Sequence, residues 1–245
     1  MDCVTRSGER LRSADIIFSV SRRGTFITFE GLDGCGKSTQ LEKLADKLRS
    51  HGLEVTTTRE PGGTAIGERI RTLLLDTRIL GLSPMAELAL MFASRAQHLD
   101  EIIRPALDAG HIVLCDRFTD SSEAYQGGGR KLGSQAVRDF DRVLCGNVKP
   151  DLTILMDCDV NISVERARRR NRERTGSSDE SRFERENRAF FTRVDAAYHE
   201  IARREPERVA LVDARGTPDE THATILAVVN NKLSRLGARR IQNAG

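Results

Sequence analysis

The sequence predicts an α/β fold, a five-stranded parallel sheet flanked by helices. Three observations lead there. Short β-branched or apolar runs recur along the 245 residues, and each gives way to a stretch with apolar residues at helical spacing. The runs at 111–115 and 151–156 are apolar almost throughout, as strands covered on both faces are. Polar, chemistry-bearing residues follow the runs directly, at the strand ends where parallel sheets gather their ligand sites.

The first run, 25–30, alternates β-branched and aromatic residues. It leads into Gly31-Leu32-Asp33-Gly34-Cys35-Gly36-Lys37-Ser38-Thr39, which fits G-x-x-x-x-G-K-[ST] without mismatch. A helix follows over 40–50, with Leu41, Leu44, Ala45 and Leu48 on one face. Strand, glycine loop and helix make the pattern a phosphate site. Gly31, Gly34 and Gly36 let successive backbone N–H groups turn inward. The helix adds its positive dipole end, Lys37 a point charge for β- and γ-phosphates, and Ser38 a hydroxyl able to ligate Mg²⁺.

A second strand is expected at 53–58, ending in the loop Arg59-Glu60-Pro61-Gly62-Gly63-Thr64. The helix predicted over 65–76 carries Ile66, Ile70, Leu73 and Leu74 on one face. Ser83 as N-cap, Pro84 at the first position and Glu87 in the first turn open another helix. It carries Leu88, Met91, Arg95, His98 and Leu99 at helical spacing, and Pro105 is expected to kink or split it. The strand at 111–115 delivers Asp116-Arg117-Phe118. A helix over 134–145 should turn Val137, Phe140, Val143 and Leu144 inward. The strand at 151–156 ends in Asp157. An arginine-rich helix over 160–172, a polar break at 175–181 and a long helix over 182–204 follow. The fifth strand, 209–212, ends in Asp213, and the last helix spans 218–236.

Composition narrows the class. Hydrophobic residues at 38% and charged residues at 31% describe a soluble globular chain, and its core must be aliphatic, with 4% aromatics and no Trp. Thirty-nine basic against 36 acidic residues is too even to imply a nucleic-acid partner. No apolar run approaches a membrane span. The five cysteines, Cys3, Cys35, Cys115, Cys145 and Cys158, are odd in number and scattered, and suggest neither a disulfide framework nor a zinc site. A reducing, cytoplasmic setting is expected. Residues 1–24 read as a poorly ordered extension or as the product of a start codon placed too early. Residues 25–237 read as one domain, with 238–245 as a tail.

The strand ends separate the classes of phosphate-loop protein. A GTPase would carry N-K-x-D after a strand, where this chain has Met156-Asp157-Cys158-Asp159. A motor module would carry an acidic pair where this chain has Asp116-Arg117. A carboxylate there can hold Mg²⁺, and an arginine beside it can grip a second phosphate. The pair is either a structural ion pair or the mark of an acceptor that is itself a phosphate.

The glycine loop, Arg59-Glu60-Pro61-Gly62-Gly63-Thr64, Asp116-Arg117-Phe118 and Ala124-Tyr125-Gln126-Gly127-Gly128-Gly129-Arg130 occur in the order seen in thymidylate kinases. Over about 24–237 the chain resembles that family, which implies a P-loop NTPase fold with an arginine-rich lid at about 166–182. The implied reaction is ATP- and Mg²⁺-dependent phosphorylation of dTMP to dTDP, in dTTP biosynthesis, by a homodimer formed through the helices around 65–76 and 83–104. By resemblance, residues 31–39 hold ATP. Asp33 accepts from the 3′-hydroxyl of dTMP, and Arg117 holds its 5′-phosphate. Arg95 donates to the thymine carbonyl, Ser122 and Gln126 line the base edge, and Tyr125 packs under the sugar and excludes a 2′-hydroxyl. Pro61 follows a cis peptide that shapes the Glu60 loop, Ser38 and Asp116 hold the metal, and Arg215 lies near the adenine. Met91 stands where the family often has an aromatic on thymine, with Phe92 next to it; either could cover the ring, or both are ordinary core residues.

Nine arginines lie between 166 and 188, with acids interleaved. They form a solvated, ion-paired face, a surface for RNA lacking the aromatics that base stacking needs, or the family's lid. Some thymidylate kinases carry a basic residue after the loop aspartate, where this chain has Gly34. The resemblance then implies that lid arginines meet the charge of the transferring phosphoryl, with Arg166, Arg170 and Arg182 as candidates. The alternatives are another nucleoside-monophosphate or deoxynucleoside kinase, and a non-catalytic nucleotide-binding regulator.

Overall fold

The computed structural model describes residues 23–175, 182, 183 and 185–235, without the side chains of 170–175. The expectations for residues 1–22, the 176–181 break, the tail from 238 and the side chain of Arg170 lie outside the described residues.

Five parallel strands, β1 (Thr25–Glu30), β2 (Val55–Arg59), β3 (Ile112–Asp116), β4 (Leu152–Asp157) and β5 (Val209–Asp213), lie in the order β2-β3-β1-β4-β5. β1 is central and buried along its whole length, so its alternation serves two cores. Ile27 and Phe29 pack with α1 (Lys37–Ser50) and α9 (Pro218–Arg235). Phe26 points the other way, against Leu88, Phe92, Leu99 and Ile103. Glu30 shares that second face and is completely buried.

Between β2 and β3 lie α2 (Ala65–Leu75), α3 (Pro84–His98) and α4 (Arg104–Asp108). Ser83 caps α3 as expected, accepting from the N–H of Ala86 at 3.2 Å. The chain does not split at Pro105. A π-helical turn over Leu99–Ile103 widens the helix just before the proline, which absorbs its ring and missing N–H.

Three expectations need correction. In α2 the buried positions are Gly67 and Leu74, while Ile66 is 51% and Leu73 43% exposed. Gly67 seats the helix, since a Cβ there would lie 2.7 Å from the carbonyl oxygen of Gly62. The helix over 134–145 comprises α6 (Ser134–Phe140) and a π-helical turn, Asp141–Cys145. α6 buries Val137, and the wider turn buries Asp141 and Cys145 and leaves Val143 and Leu144 exposed. The helix expected from 182 begins later, as α8 (Arg188–Arg204), because Asn187 caps it by accepting from the N–H of Phe190 at 2.9 Å.

α5 (Thr119–Ser122) and a π-helical segment, Glu123–Gly129, follow β3, and α7 (Val160–Thr175) follows β4. α7 rests on the glycine loop itself. Gly34 has φ +87°, and a Cβ there would lie 2.2 Å from the carbonyl oxygen of Ser163. Only glycine meets both demands. Among the described residues no helix is long and apolar enough to cross a membrane.

Candidate active site

The glycine loop, the Glu60–Pro61 corner and the ends of α3 and β3 enclose a cavity of about 1320 Å³. Its wall includes Asp33, Gly34, Gly36, Lys37, Ser38 and Thr39 on one side, and Met91, Arg95, Ser122, Tyr125 and Gln126 on the other. Glu60, Pro61, Asp116 and Arg117 lie between them. The residues after β1, β2 and β3 meet here, while Asp213 after β5, expected at the same edge, lines no part of the cavity. Leu32 and Cys35 turn inward, each 3% exposed, and Gly31 backs onto Met156.

Lys37 is buried at the start of α1, and its ammonium donates to the carbonyl oxygens of Gly31 at 3.0 Å and Leu32 at 2.8 Å. Asp33 lies 4.0 Å from it. The Ser38 hydroxyl donates to Asp116 Oδ2 at 2.8 Å, while Asp116 Oδ1 is buried with no hydrogen-bond partner. Two adjoining oxygen ligands, one with an unspent carboxylate oxygen, fit a hard divalent cation such as Mg²⁺.

Arg117 holds the centre. Its backbone has φ +74°, which costs a non-glycine residue about 1–2 kcal/mol. Five contacts hold it there. Nη2 donates to Asp33 at 2.7 Å and to the Tyr125 hydroxyl at 3.3 Å. Nη1 donates to Ser121 at 2.8 Å and to the Tyr198 hydroxyl at 3.1 Å. The guanidinium also stands 5.0 Å over the Tyr125 ring. Burial disfavours its charge, but Asp33, then the two tyrosines and Asp116, hold its pKa well above the ordinary value. Both tyrosines of the chain therefore meet one arginine.

Glu30 lies beneath this group. Its Oε1 accepts from the N–H of Phe118 at 2.7 Å. Its Oε2 sits 2.6 Å from Ser121 Oγ and 3.0 Å from Tyr198 Oη, and those two hydroxyls are 2.8 Å apart. Both hydroxyls donate to Oε2, and Arg117 Nη1 donates to each hydroxyl in turn. Burial, reinforced by Asp120, raises its carboxyl from 4.5 to about 7, against the pull of Arg117, Ser121 and the Phe118 N–H.

The far end of the cavity is built on Arg95, which is 2% exposed. Its Nε donates to Glu60 at 2.6 Å and its Nη2 to Ser122 at 3.0 Å, leaving Nη1 buried without a partner. The rings of Phe92 and Phe118 lie 4.5 and 5.2 Å from the guanidinium carbon. Phe92 is fully buried in the core beside Phe140, so Met91 is the one of the pair on the cavity wall. The Glu60–Pro61 peptide is cis, and Glu60 turns inward to Arg95 and His98.

Other expected residues lie elsewhere. Arg166 is exposed on α7 and lines no part of the cavity. Arg182 donates to Glu87 at 2.5 Å and to the Leu74 carbonyl at 3.1 Å, beside a separate recess of about 420 Å³. Arg215 is exposed and chelates Asp213 through Nε and Nη2, each at 2.8 Å. The structure brings none of these three to the glycine loop.

Sequence reasoning missed Arg71, Glu30 and Tyr198. Arg71 lines the cavity from α2, its Nη1 donating to the Pro61 carbonyl at 2.9 Å, and burial together with Arg59 lowers its pKa. Its spacing of four from Gly67 and three from Leu74 marked the inward face of α2. A glutamate closing an apolar strand and one of only two tyrosines were the signals for the other pair.

The family model for thymidylate kinase matches residues 29–225. The thymidylate kinase of Desulfovibrio desulfuricans is 47% identical over 212 residues, which is 86% of this chain and 98% of that one. That of Pelobacter propionicus is 48% identical over 212 residues, covering 86% and 96%. That of Pseudomonas syringae pv. syringae is 49% identical over 202 residues, covering 82% and 93%. Among solved structures, the thymidylate kinase of Ehrlichia chaffeensis superposes with a TM-score of 0.68 at 31% identity, covering 84% of this chain and 98% of that one.

Proposed function

The chain belongs to the thymidylate kinase family, and from that premise and the cavity's geometry we infer how its residues carry the reaction. It is a phosphotransferase that converts dTMP to dTDP in dTTP biosynthesis, with ATP as donor. An oxygen of the acceptor's 5′-phosphate attacks the γ-phosphorus, and the bond to the bridging β-γ oxygen breaks. The acceptor oxygen is already anionic, so positioning and charge neutralisation supply most of the catalysis and no strong base is needed.

The donor's phosphates take the turn made by residues 31–39, with Lys37 as the cation at the β/γ position. Ser38 and Asp116 hold Mg²⁺, which supplies charge neutralisation on the phosphates when bound. The free oxygen of Asp116 supports that assignment. Arg117 grips the acceptor phosphate, with Arg71 as a second cation on the same wall. Asp33 takes the 3′-hydroxyl, and Tyr125 lies under the sugar. Arg95, Ser122 and Gln126 meet the base, and Met91 covers it. Arg166 and Arg170 on α7 stand as lid arginines for the transferring phosphoryl. Arg182 is already committed to Glu87, which argues against the same role. Arg215 stays an adenine-side candidate through its place after β5.

The domain spans 25–237, with the lid at about 166–182. Half-exposed Ile66, Leu73 and Met85 on α2 and α3 support a homodimer through those helices. The four cysteines among the described residues are buried free thiols, which suits a reducing cytoplasm.

One observation carries the site assignment. A strained arginine, held by five contacts, lines the same cavity as the phosphate loop and stands next to the Ser38–Asp116 pair. Arg117→Ala should abolish most turnover and raise the KM for dTMP, with ATP affinity by calorimetry unchanged. Unaltered dTMP turnover would remove Arg117 from the acceptor site.

A further inference from the structure

Glu87 is a fully buried carboxylate in the first turn of α3. It accepts from Gln126 Nε2 at 2.9 Å, from Arg130 Nε at 3.2 Å on each oxygen, and from Arg182 Nη2 at 2.5 Å. Arg130 is also paired with Glu186, and Arg182 with the Leu74 carbonyl. A carboxylate set between two guanidinium groups only accepts hydrogen bonds. The amide of Gln126 has no choice of orientation beside it. Its NH₂ must face Glu87, and with Gln126 1% exposed it cannot swing to solvent. The amide oxygen is the end left for the cavity that Gln126 lines.

Arg95 is fixed in the complementary sense. Glu60 and Ser122 occupy two of its nitrogens, the Phe92 and Phe118 rings hold its plane, and Nη1 remains a buried donor without a partner. The wall therefore presents one immobile donor and one immobile acceptor. A pyrimidine with a carbonyl at C4 and an N–H at N3 satisfies both. Cytosine presents an amino group and a ring lone pair at those positions, and so meets donor with donor and acceptor with acceptor.

We propose that Glu87, which lines no part of the cavity itself, is the positioning residue that makes the base site read an N3–H donor, by locking the amide of Gln126. The proposal rests on the reading that Gln126 and Arg95 meet the base. A glutamine at 87 could donate or accept, so the amide at 126 could turn over.

The test is Glu87→Gln, assayed with dTMP and dCMP at saturating ATP. The kcat/KM for dTMP should fall about tenfold, mainly through KM, and the preference for dTMP over dCMP should shrink by at least that factor, with the KM for ATP unchanged. A folded Glu87→Gln enzyme with an unaltered dTMP/dCMP ratio overturns the proposal. Should that variant not fold, the exchange Glu87→Gln with Gln126→Glu keeps one carboxylate and one amide in contact and returns an acceptor oxygen to the cavity. It should retain the preference for dTMP, and equal use of both nucleotides by that folded double variant overturns the proposal as well. Gln126→Leu separates the two levels. If it leaves the KM for dTMP unchanged, the placement of the base fails. If it raises that KM while Glu87→Gln leaves the ratio alone, only the role of Glu87 fails.

Discussion

Glu30→Gln should change the pH dependence of folding by an amount the structure sets. The carboxyl is buried beneath Arg117, and its Oε2 accepts from the hydroxyls of Ser121 and Tyr198. Burial first, then Asp120, raises its pKa from 4.5 to about 7. The folded chain therefore keeps a proton that the unfolded chain releases between those values. The stability this contributes is fully present below about pH 4.5, declines as pH rises, and is gone above about pH 7. At about 1.4 kcal/mol per pKa unit, the decline amounts to about 3 kcal/mol. Glutamine preserves the shape and does not titrate. The assay is urea unfolding of both proteins at about pH 5, 6, 7 and 8, with the wild-type value subtracted from that of the variant at each pH. Other titrating groups cancel in the difference, which should move in favour of the variant by about 2–3 kcal/mol across the range. A difference constant to within about 0.5 kcal/mol would show that burial does not raise the Glu30 carboxyl.

Two further outcomes follow. Gly34→Ala places a methyl 2.2 Å from the Ser163 carbonyl oxygen at φ +87°, and should lower stability in thermal unfolding by about 2 kcal/mol or more. An unshifted Tm would mean that α7 does not bear on the loop. The wild-type chain of 27.2 kDa should sediment at about twice that mass, and Leu73→Asp at about the single-chain mass; a monomeric wild type would leave the apolar face of α2 without its partner.

The sheet and most of the cavity wall were legible because they rest on local signals. A strand buried on both faces reads as an apolar run, and a glycine loop between strand and helix has a fixed spacing. Misread positions share a different cause. A 3.6-residue period turns Val143 and Leu144 inward, and a π-helical turn breaks that period. Ile66 and Leu73 look like core when the chain is read as a string, because an exposed apolar residue on a helix has the same spacing as a buried one. Arg182 sits in an arginine run where only its partner, Glu87, distinguishes it, and that partner is 95 residues away. Glu30 and Tyr198, 168 residues apart, meet only once β1 and α8 are packed.

The contact between Gly34 and α7 bears on how such sequences can drift. The backbone of the loop and that of the helix abut with no side chain between them. A basic residue at position 34 would meet the Ser163 carbonyl oxygen while loop and helix keep these places. The first turns of α7 would have to lift away at the same time, and the arginines they carry would move with them. In this chain the bare loop and the close approach of α7 are thus one coupled arrangement, and neither can change without the other.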